Sequence, residues 1–182
     1  LRVLDIGCGS GAGGIAFARL PGSAPDLTMN DINPRALEFA AANAAVAGVD
    51  AAYALGDALH AVHGAFDLVI SNPPYMADPQ HRAYRDGGAG LGRALSVRIA
   101  AQALSRLAPG GQLLLYTGVA MVDGADPFLA EMEPLLRRAE VEWSYSEIDP
   151  DVFGEELEAA PYDRADRIAA VGLVATRAAG AG

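Results

Sequence analysis

Strand-forming and helix-forming segments alternate along almost the whole chain, and this alternation limits the possible folds more than any other feature. Apolar runs with strand character lie at 1–6, 27–32, 51–55, 67–71, 113–116, 141–145 and 168–176. Between them, Asn33-Pro34 and Asp126-Pro127 are typical of helix starts, and Gly48 is typical of a helix end. Strands that alternate with helices form a parallel sheet covered on both faces. The chain is therefore predicted to be an α/β protein.

Length and composition fit one such domain. The chain has 182 residues, 52% of them hydrophobic, which is enough for a single core. One buried helical face is predicted from residues that recur every fourth position, namely Leu91, Leu95, Ile99, Ala103 and Leu107. We expect the domain to cover residues 1–177 and the Ala/Gly-rich end, 178–182, to be disordered. Because a strand begins at the first residue and no Met precedes it, we also expect an upstream segment to be missing.

Charge and cysteine content narrow the function classes. The formal net charge of −10 argues against indiscriminate binding along nucleic acid, which requires a basic surface. No run of about 20 apolar residues is present, so no membrane-spanning helix is predicted. Cys8 is the only cysteine, which precludes an internal disulfide and favours a reducing, cytoplasmic setting. Two histidines, His60 and His63, do not make a zinc site, and we expect no metal.

The loops that follow the first four strands carry most of the information, because parallel sheets bind ligands at the carboxyl ends of their strands. The first strand ends in Asp5-Ile6 and continues as Gly7-Cys8-Gly9-Ser10-Gly11. Glycines let backbone amides approach a ligand closely before a helix begins. Three interpretations stay open at this point: a cofactor-binding loop, a dinucleotide fingerprint G-x-G-x-x-G/A completed by Ala12, and a tight turn without a ligand.

The second and third loops each carry a carboxylate. Asp31 ends the second strand 20 residues after Gly11 and could accept hydrogen bonds from ribose hydroxyls, since Asn33 is the better cap for the next helix. Ile32 offers an apolar surface to an adenine ring. Asp57 could accept from an adenine amino group, or it could lie in a surface turn.

The fourth loop is the most specific. Asn72-Pro73-Pro74-Tyr75 follows a buried strand directly, and no turn requires this tetrapeptide. The two prolines make the backbone stiff and leave carbonyl groups outside the strand ladder. The asparagine amide and the tyrosine ring then frame a slot for a flat, polar group.

With these four loops in this order, the chain resembles the class I S-adenosylmethionine-dependent methyltransferases that carry an Asn-Pro-Pro-Tyr motif. The resemblance covers residues 1–176 and implies S-adenosyl-L-methionine as cofactor. It also implies a Rossmann-like, doubly wound sheet of seven mostly parallel strands, with the last antiparallel and the order 3-2-1-4-5-7-6.

The resemblance also implies a role for each loop. Gly7, Gly9 and Gly11 would line the methionine part of the cofactor, and Asp5 would help to fix its amino group. Asp31 would hold the ribose, while Ile32 and Asp57 would hold the adenine. The acceptor would lie on Asn72, Pro73, Pro74 and Tyr75, with the Asn72 amide and the Pro73 carbonyl accepting from its NH₂ group and the Tyr75 ring stacking on its plane.

The family methylates nitrogen attached to a conjugated system, either a protein glutamine side chain or an exocyclic amine of adenine or guanine in RNA or DNA. Residues 76–91 loosely resemble the segment that follows the motif in release-factor glutamine methyltransferases, so a protein glutamine is slightly preferred. Two departures weaken the match. Tyr84-Arg85-Asp86 replaces an acidic-Pro pair, and Tyr116-Thr117-Gly118 stands where a glutamate precedes glycine.

Local charge leaves the acceptor open. Residues 76–98 contain four arginines against two aspartates, and this basic rim could meet phosphate or an acidic protein surface. Arg85 is the candidate substrate-binding residue among them, although Arg85 and Asp86 could equally pair and order the loop. A third possibility belongs to another class: a nucleotide-binding domain without methyl transfer.

Overall fold

The computed structural model describes residues 1–180, which form seven strands, four α-helices and two short 3-10 helices. In chain order these are β1 (Arg2–Ile6), α1 (Ala12–Ala18), β2 (Asp26–Asp31), α2 (Pro34–Ala47), β3 (Ala52–Leu55), a 3-10 helix (Ala58–Ala61), β4 (Phe66–Ser71), α3 (Ala94–Leu104), β5 (Leu107–Met121), α4 (Pro127–Arg138), β6 (Val141–Asp149), a 3-10 helix (Gly154–Glu158) and β7 (Arg167–Arg177).

All seven strands belong to one sheet in the order β3-β2-β1-β4-β5-β7-β6. Strands β1 to β5 pair in parallel, whereas β7 runs antiparallel to both β5 and β6. The predicted fold class and strand order are therefore confirmed.

Helices cover both faces of the sheet, as alternate residues on its strands show. Leu4 and Val69 belong to the cluster under α3 and α4, while their neighbours Val3 and Leu68 belong to the cluster under α1 and α2. Successive side chains on a strand point to opposite faces, so both faces are packed. The central strands are thus apolar on both sides, and polar residues collect where the strands end.

A third, smaller cluster lies beyond the carboxyl ends of the strands. It joins the loop after β4 to the connection between β6 and β7, with the buried side chains of Met76 and Tyr162 at its centre. The Tyr162 hydroxyl accepts a 2.6 Å hydrogen bond from the Ala77 backbone N–H and lies 3.2 Å from the Leu91 carbonyl, to which it donates. Two segments distant in sequence are thereby held together above the sheet.

Several predicted boundaries differ from the structure. The helix expected over 91–107 spans only Ala94–Leu104, because Leu91 adopts a positive φ of 56° in the preceding turn and Leu107 already pairs with Phe66. Strand β5 is correspondingly longer than the predicted 113–116. Trp143 on β6 is 38% exposed, because β6 is the edge strand of the sheet.

Among residues 1–180, no helix is long and apolar enough to cross a membrane. The same residues contain no group of three or more His, Cys, Asp or Glu side chains arranged to hold a metal ion. The tail expected to be disordered begins at Ala178, whose backbone carbonyl accepts a hydrogen bond from the Gly110 N–H. Residues 181–182 of this tail lie outside the described residues.

Candidate functional site

A cavity of about 490 Å³ opens at the carboxyl ends of the parallel strands. Its size is typical of a site for a small organic ligand. Its walls are formed by Ile6, Gly7, Gly9, Asn30, Asp31, Ile32, Asn33, Ala36, Asp57, Ala58, Asn72, Pro73, Pro74, Tyr75, Met76, Ala83, Tyr84, Arg85, Leu95, Ile99 and Phe153. A second cavity, of about 520 Å³, lies between the carboxyl ends of α3 and α4 and contains none of the predicted site residues.

The glycine loop after β1 faces the cavity with bare backbone. Gly7 and Gly9 have φ angles of 65° and 54°, and a Cβ at either position would meet no atom within 4 Å. The Gly9 N–H donates to Asp31 Oδ2 at 2.9 Å, which ties the loop to β2. Gly11 differs, because a Cβ there would lie 3.0 Å from Met29 Sδ, and Gly11 does not line the cavity.

Asp5 lies beneath the glycine loop and does not line the cavity. Its side chain is 4% exposed, and Oδ2 accepts a 2.7 Å hydrogen bond from the Gly14 N–H in the first turn of α1. Burial raises the pKa of Asp5 to about 6, with the Asp31 charge adding to the shift and the Gly14 hydrogen bond opposing it. Asp5 therefore braces the loop from below.

Asp31 and Ile32 lie side by side at the end of β2. Asp31 Oδ1 accepts from the Asn33 N–H at 2.8 Å, so each carboxylate oxygen already orders one backbone amide at the cavity wall. Asn33 caps α2 by accepting from the Arg35 N–H, as predicted. Ile32 is 61% exposed, and its side chain is available to a flat apolar ligand.

Asp57 lies in the loop after β3, where it lines the cavity beside Ala58. Both of its oxygens accept from the guanidinium of Arg98 on α3, at 2.9 Å each. Hydrogen bonding and charge from Arg98 hold the pKa of Asp57 below its ordinary value, with a smaller contribution from His60. The carboxylate at this end of the cavity is therefore kept ionised.

The Asn72–Tyr75 segment begins the loop after β4 and forms one wall of the cavity. Asn72 is exposed, and its side chain makes no hydrogen bond to another group in residues 1–180, whereas Pro73 is buried. The Tyr75 ring meets Tyr116 edge-on, with 6.4 Å between centroids, and lies 6.2 Å from Phe153. Partial burial raises the pKa of Tyr75. A free amide and a fixed aromatic ring thus border the same space as the glycine loop.

Three glycines that sequence reasoning did not select surround Tyr75. A Cβ on Gly118 would overlap the Tyr75 ring, one on Gly92 would overlap the Tyr75 carbonyl, and one on Gly87 would lie 2.7 Å from the Tyr75 Cα. These glycines are required for close packing rather than for a turn alone. The glycine cluster after the motif is a sequence signal that could have indicated them, whereas nothing in the sequence indicates Phe153.

The arginines of residues 76–98 are each paired with a carboxylate. Arg82 pairs with Asp78, Arg93 with Glu131, Arg98 with Asp57 and Arg85 with Glu156. The suggested Arg85–Asp86 pair is wrong, because Asp86 instead contacts His81 Nδ1 at 2.7 Å and accepts from the Gly88 N–H. Arg85 does line the cavity, and its buried Nε finds no hydrogen-bond partner in residues 1–180.

Comparison with known proteins relates this chain to methyltransferases. Residues 1–122 match the family model described as methyltransferase small domain. A release factor glutamine methyltransferase of Deinococcus radiodurans is 39% identical over 127 residues, which are 63% of this chain and 44% of that protein. A ribosomal RNA small subunit methyltransferase C of Shigella flexneri serotype 5b is 40% identical over 76 residues, 41% of this chain and 21% of that protein.

A solved methyltransferase structure from Pyrococcus furiosus superposes with a TM-score of 0.66 at 16% identity, covering 97% of this chain and 75% of the other. That likeness shows a shared fold. The chain spans about half the length or less of the curated relatives described above. From the family match over residues 1–122, the chain belongs to the methyltransferase small domain family.

Proposed function

We propose that this chain is the catalytic domain of an S-adenosyl-L-methionine-dependent N-methyltransferase that acts on a planar amide or exocyclic amino nitrogen. One observation carries the proposal: Asn72–Tyr75 and the glycine loop border a single cavity. An acceptor nitrogen on one wall and a methyl donor on the other would therefore lie next to each other.

The cavity suits an adenosyl cofactor. Gly7 and Gly9 leave open space where side chains would otherwise stand, so their backbone could contact the methionine part closely. Asp31 retains lone pairs for ribose hydroxyls, and Ile32 and Asp57 supply an apolar surface and an acceptor for adenine. Gly11 and Asp5 would act from behind the wall by shaping the loop, and the contact of Asp5 with the cofactor amino group stays a prediction.

The motif would activate the acceptor nitrogen by geometry. The lone pair of an amide or aromatic amine is delocalised, which makes the nitrogen a poor nucleophile. The Asn72 oxygen and the Pro73 carbonyl would accept hydrogen bonds from its two N–H groups and so aim the nitrogen in line with the methyl group. The same two oxygens would stabilise the positive charge that develops on the nitrogen. When bound, the cofactor would supply a methyl group on a sulfonium, with the neutral thioether as the leaving group, and the methylated nitrogen would lose its extra proton to water.

A protein glutamine is the favoured acceptor. With Arg82, Arg85, Arg93 and Arg98 all paired to carboxylates, the rim beside the motif offers little uncompensated positive charge for phosphate. A neutral side-chain amide needs no such charge. The relative from D. radiodurans, named for action on a release factor, supports the same choice.

An exocyclic amine of adenine or guanine in RNA is the second candidate. Tyr84 at the cavity wall is 75% exposed and could stack on an unpaired base. The S. flexneri relative, named for ribosomal RNA, supports this alternative. Either acceptor, together with the single cysteine, fits a cytoplasmic protein.

Two measurements test the proposal. Calorimetry should show binding of S-adenosylhomocysteine and none of NAD, and the reverse result would indicate a nucleotide-binding domain of another class. Tritiated cofactor should then label a release factor at glutamine, with small-subunit ribosomal RNA as the parallel substrate. Label in RNA alone would replace the favoured acceptor with the second candidate.

A further inference from the structure

Arg98 contacts the cavity wall through Asp57 without lining the cavity itself. Asp57 follows β3 and Arg98 lies 41 residues later on α3, yet two guanidinium nitrogens donate to the two carboxylate oxygens at 2.9 Å each. This two-point geometry fixes the plane of a carboxylate, which a single hydrogen bond does not.

The backbone that carries Asp57 is already held in place. Asn30 Nδ2 donates to the carbonyls of Ala54 and Gly56 at 2.9 and 3.0 Å, and the Gly56 N–H donates to the Asp31 carbonyl. What remains free is the rotation of the Asp57 side chain, which is about half exposed. Arg98 therefore supplies the constraint that the loop lacks.

The position of Arg98 is fixed by helix α3. Its neighbours Ile99 and Ala100 are buried in the main core, and Ile99 also lines the cavity. The helix that forms one cavity wall thus places the guanidinium as well. His60, on the 3-10 helix that follows Asp57, makes a smaller contribution to the lowered pKa of this carboxylate.

A carboxylate held in this way favours ligands that present a hydrogen-bond donor to it. It is ionised and accepts hydrogen bonds without donating any, and each oxygen keeps a lone pair beyond the one that Arg98 uses. A ring with an exocyclic amino group can donate to the remaining lone pair of Asp57, whereas a ring without it offers that lone pair no donor.

We infer that Arg98 is a positioning residue that orients Asp57 and so makes this end of the cavity selective for a 6-aminopurine. The inference rests on the proposed function, because it takes the ligand to be an adenosyl cofactor.

The test compares the binding of S-adenosylhomocysteine with that of its analogue lacking the 6-amino group, by calorimetry. The full chain should prefer the amino compound by about 10-fold or more. Arg98→Gln should reduce that preference to below about 3-fold while the affinity for the deamino analogue stays nearly constant. Arg98→Lys has one donor nitrogen in place of two, and its preference should lie between those of the wild type and Arg98→Gln. Arg93→Gln, which breaks a comparable pair with Glu131, is the matched control and should keep the full preference.

Thermal unfolding of each variant separates misfolding from the effect on selectivity. The inference is overturned if Arg98→Gln folds normally but binds both ligands more weakly by the same factor, or binds both as tightly as the wild type. A wild-type chain that binds both ligands equally overturns it as well and leaves cofactor binding intact. Binding of neither ligand by the wild-type chain overturns the proposed function itself.

Discussion

Asn72 has the most specific role among the residues that we propose for this site. Its side chain is exposed at the cavity wall and makes no hydrogen bond within residues 1–180, so its acceptor oxygen is free for a ligand. Asp31, Asp57 and Asp5, in contrast, already accept from groups of this protein. Asn72 and the carboxylates are therefore expected to respond differently to substitution.

Asn72→Ala should abolish most methyl transfer without affecting cofactor binding. Loss of one preorganised polar contact to the reacting group costs about 100-fold in kcat by analogy with other catalytic hydrogen bonds. The Kd for S-adenosylhomocysteine should stay within about 3-fold, because Asn72 is assigned to the acceptor. Gln112→Ala, which removes an exposed carboxamide bonded to Thr176 outside the cavity, should leave both quantities unchanged. Weakened cofactor binding in Asn72→Ala would show that the residue has another role.

The raised pKa of Asp5 leads us to expect that the stability of the fold depends on pH. Its pKa in the folded protein is about 6, above the ordinary 3.8, so the folded state binds more protons between these two values and stability falls as the pH rises through them. At about 1.4 kcal/mol per unit, ionised Asp5 costs about 3 kcal/mol above pH 7. Asp5→Asn should therefore unfold at higher urea than the wild type at pH 8, with the difference shrinking towards pH 4. Parallel pH profiles for the two proteins would contradict this.

At the scale of elements, the cavity wall formed by Asn72–Tyr75 depends on packing between segments remote in sequence. Gly118 of β5 and Gly92 before α3 leave room for Tyr75, while Phe153 supports the ring from the β6–β7 connection. Tyr162 fastens that connection to the loop after β4. The orientation of Tyr75 is therefore a property of three elements together.

Tyr162→Phe should destabilise this assembly. The change leaves the Ala77 N–H without its acceptor and the Leu91 carbonyl without its donor, at a cost of about 1–3 kcal/mol in the free energy of unfolding. The 76–92 loop should also become more sensitive to limited proteolysis. Tyr84→Phe is the control, because the Tyr84 hydroxyl lies on an exposed side chain. Its removal should change the free energy of unfolding by no more than about 0.5 kcal/mol. Equal stabilities for the two variants would contradict the role of Tyr162.

At the scale of the whole molecule, charge separates the two acceptor classes. The chain carries a net charge of −10, and the arginines beside the motif are paired with carboxylates. A surface of this kind does not attract nucleic acid over long distances.

The kcat/KM for the macromolecular acceptor should consequently change by less than about 3-fold between 50 and 200 mM salt. An acceptor held by six to ten phosphate contacts would lose roughly 10³- to 10⁵-fold in affinity over that range. The measurement is a salt titration of initial rates at saturating cofactor. A steep loss with salt would favour RNA and would contradict the neutral rim.

The sheet, its strand order and the composition of the four loops were accessible from the sequence, partly through the family resemblance. Apolar runs, the Asn33-Pro34 cap and the Asn72–Tyr75 motif are signals between near neighbours in the chain, so they are legible without coordinates. The same local rules overestimated α3 at both ends, because the turn at Leu91 and the strand pairing of Leu107 involve other elements.

Only the tertiary structure decided which side chains complete the site. Arg85 pairs with Glu156, 71 residues away, rather than with its neighbour Asp86, and Asp57 pairs with Arg98 on another element. Phe153 reaches Tyr75 from the far end of the chain. No periodicity or cap connects such positions, because their contact arises from the packing of the sheet, its helices and the β6–β7 connection into one body.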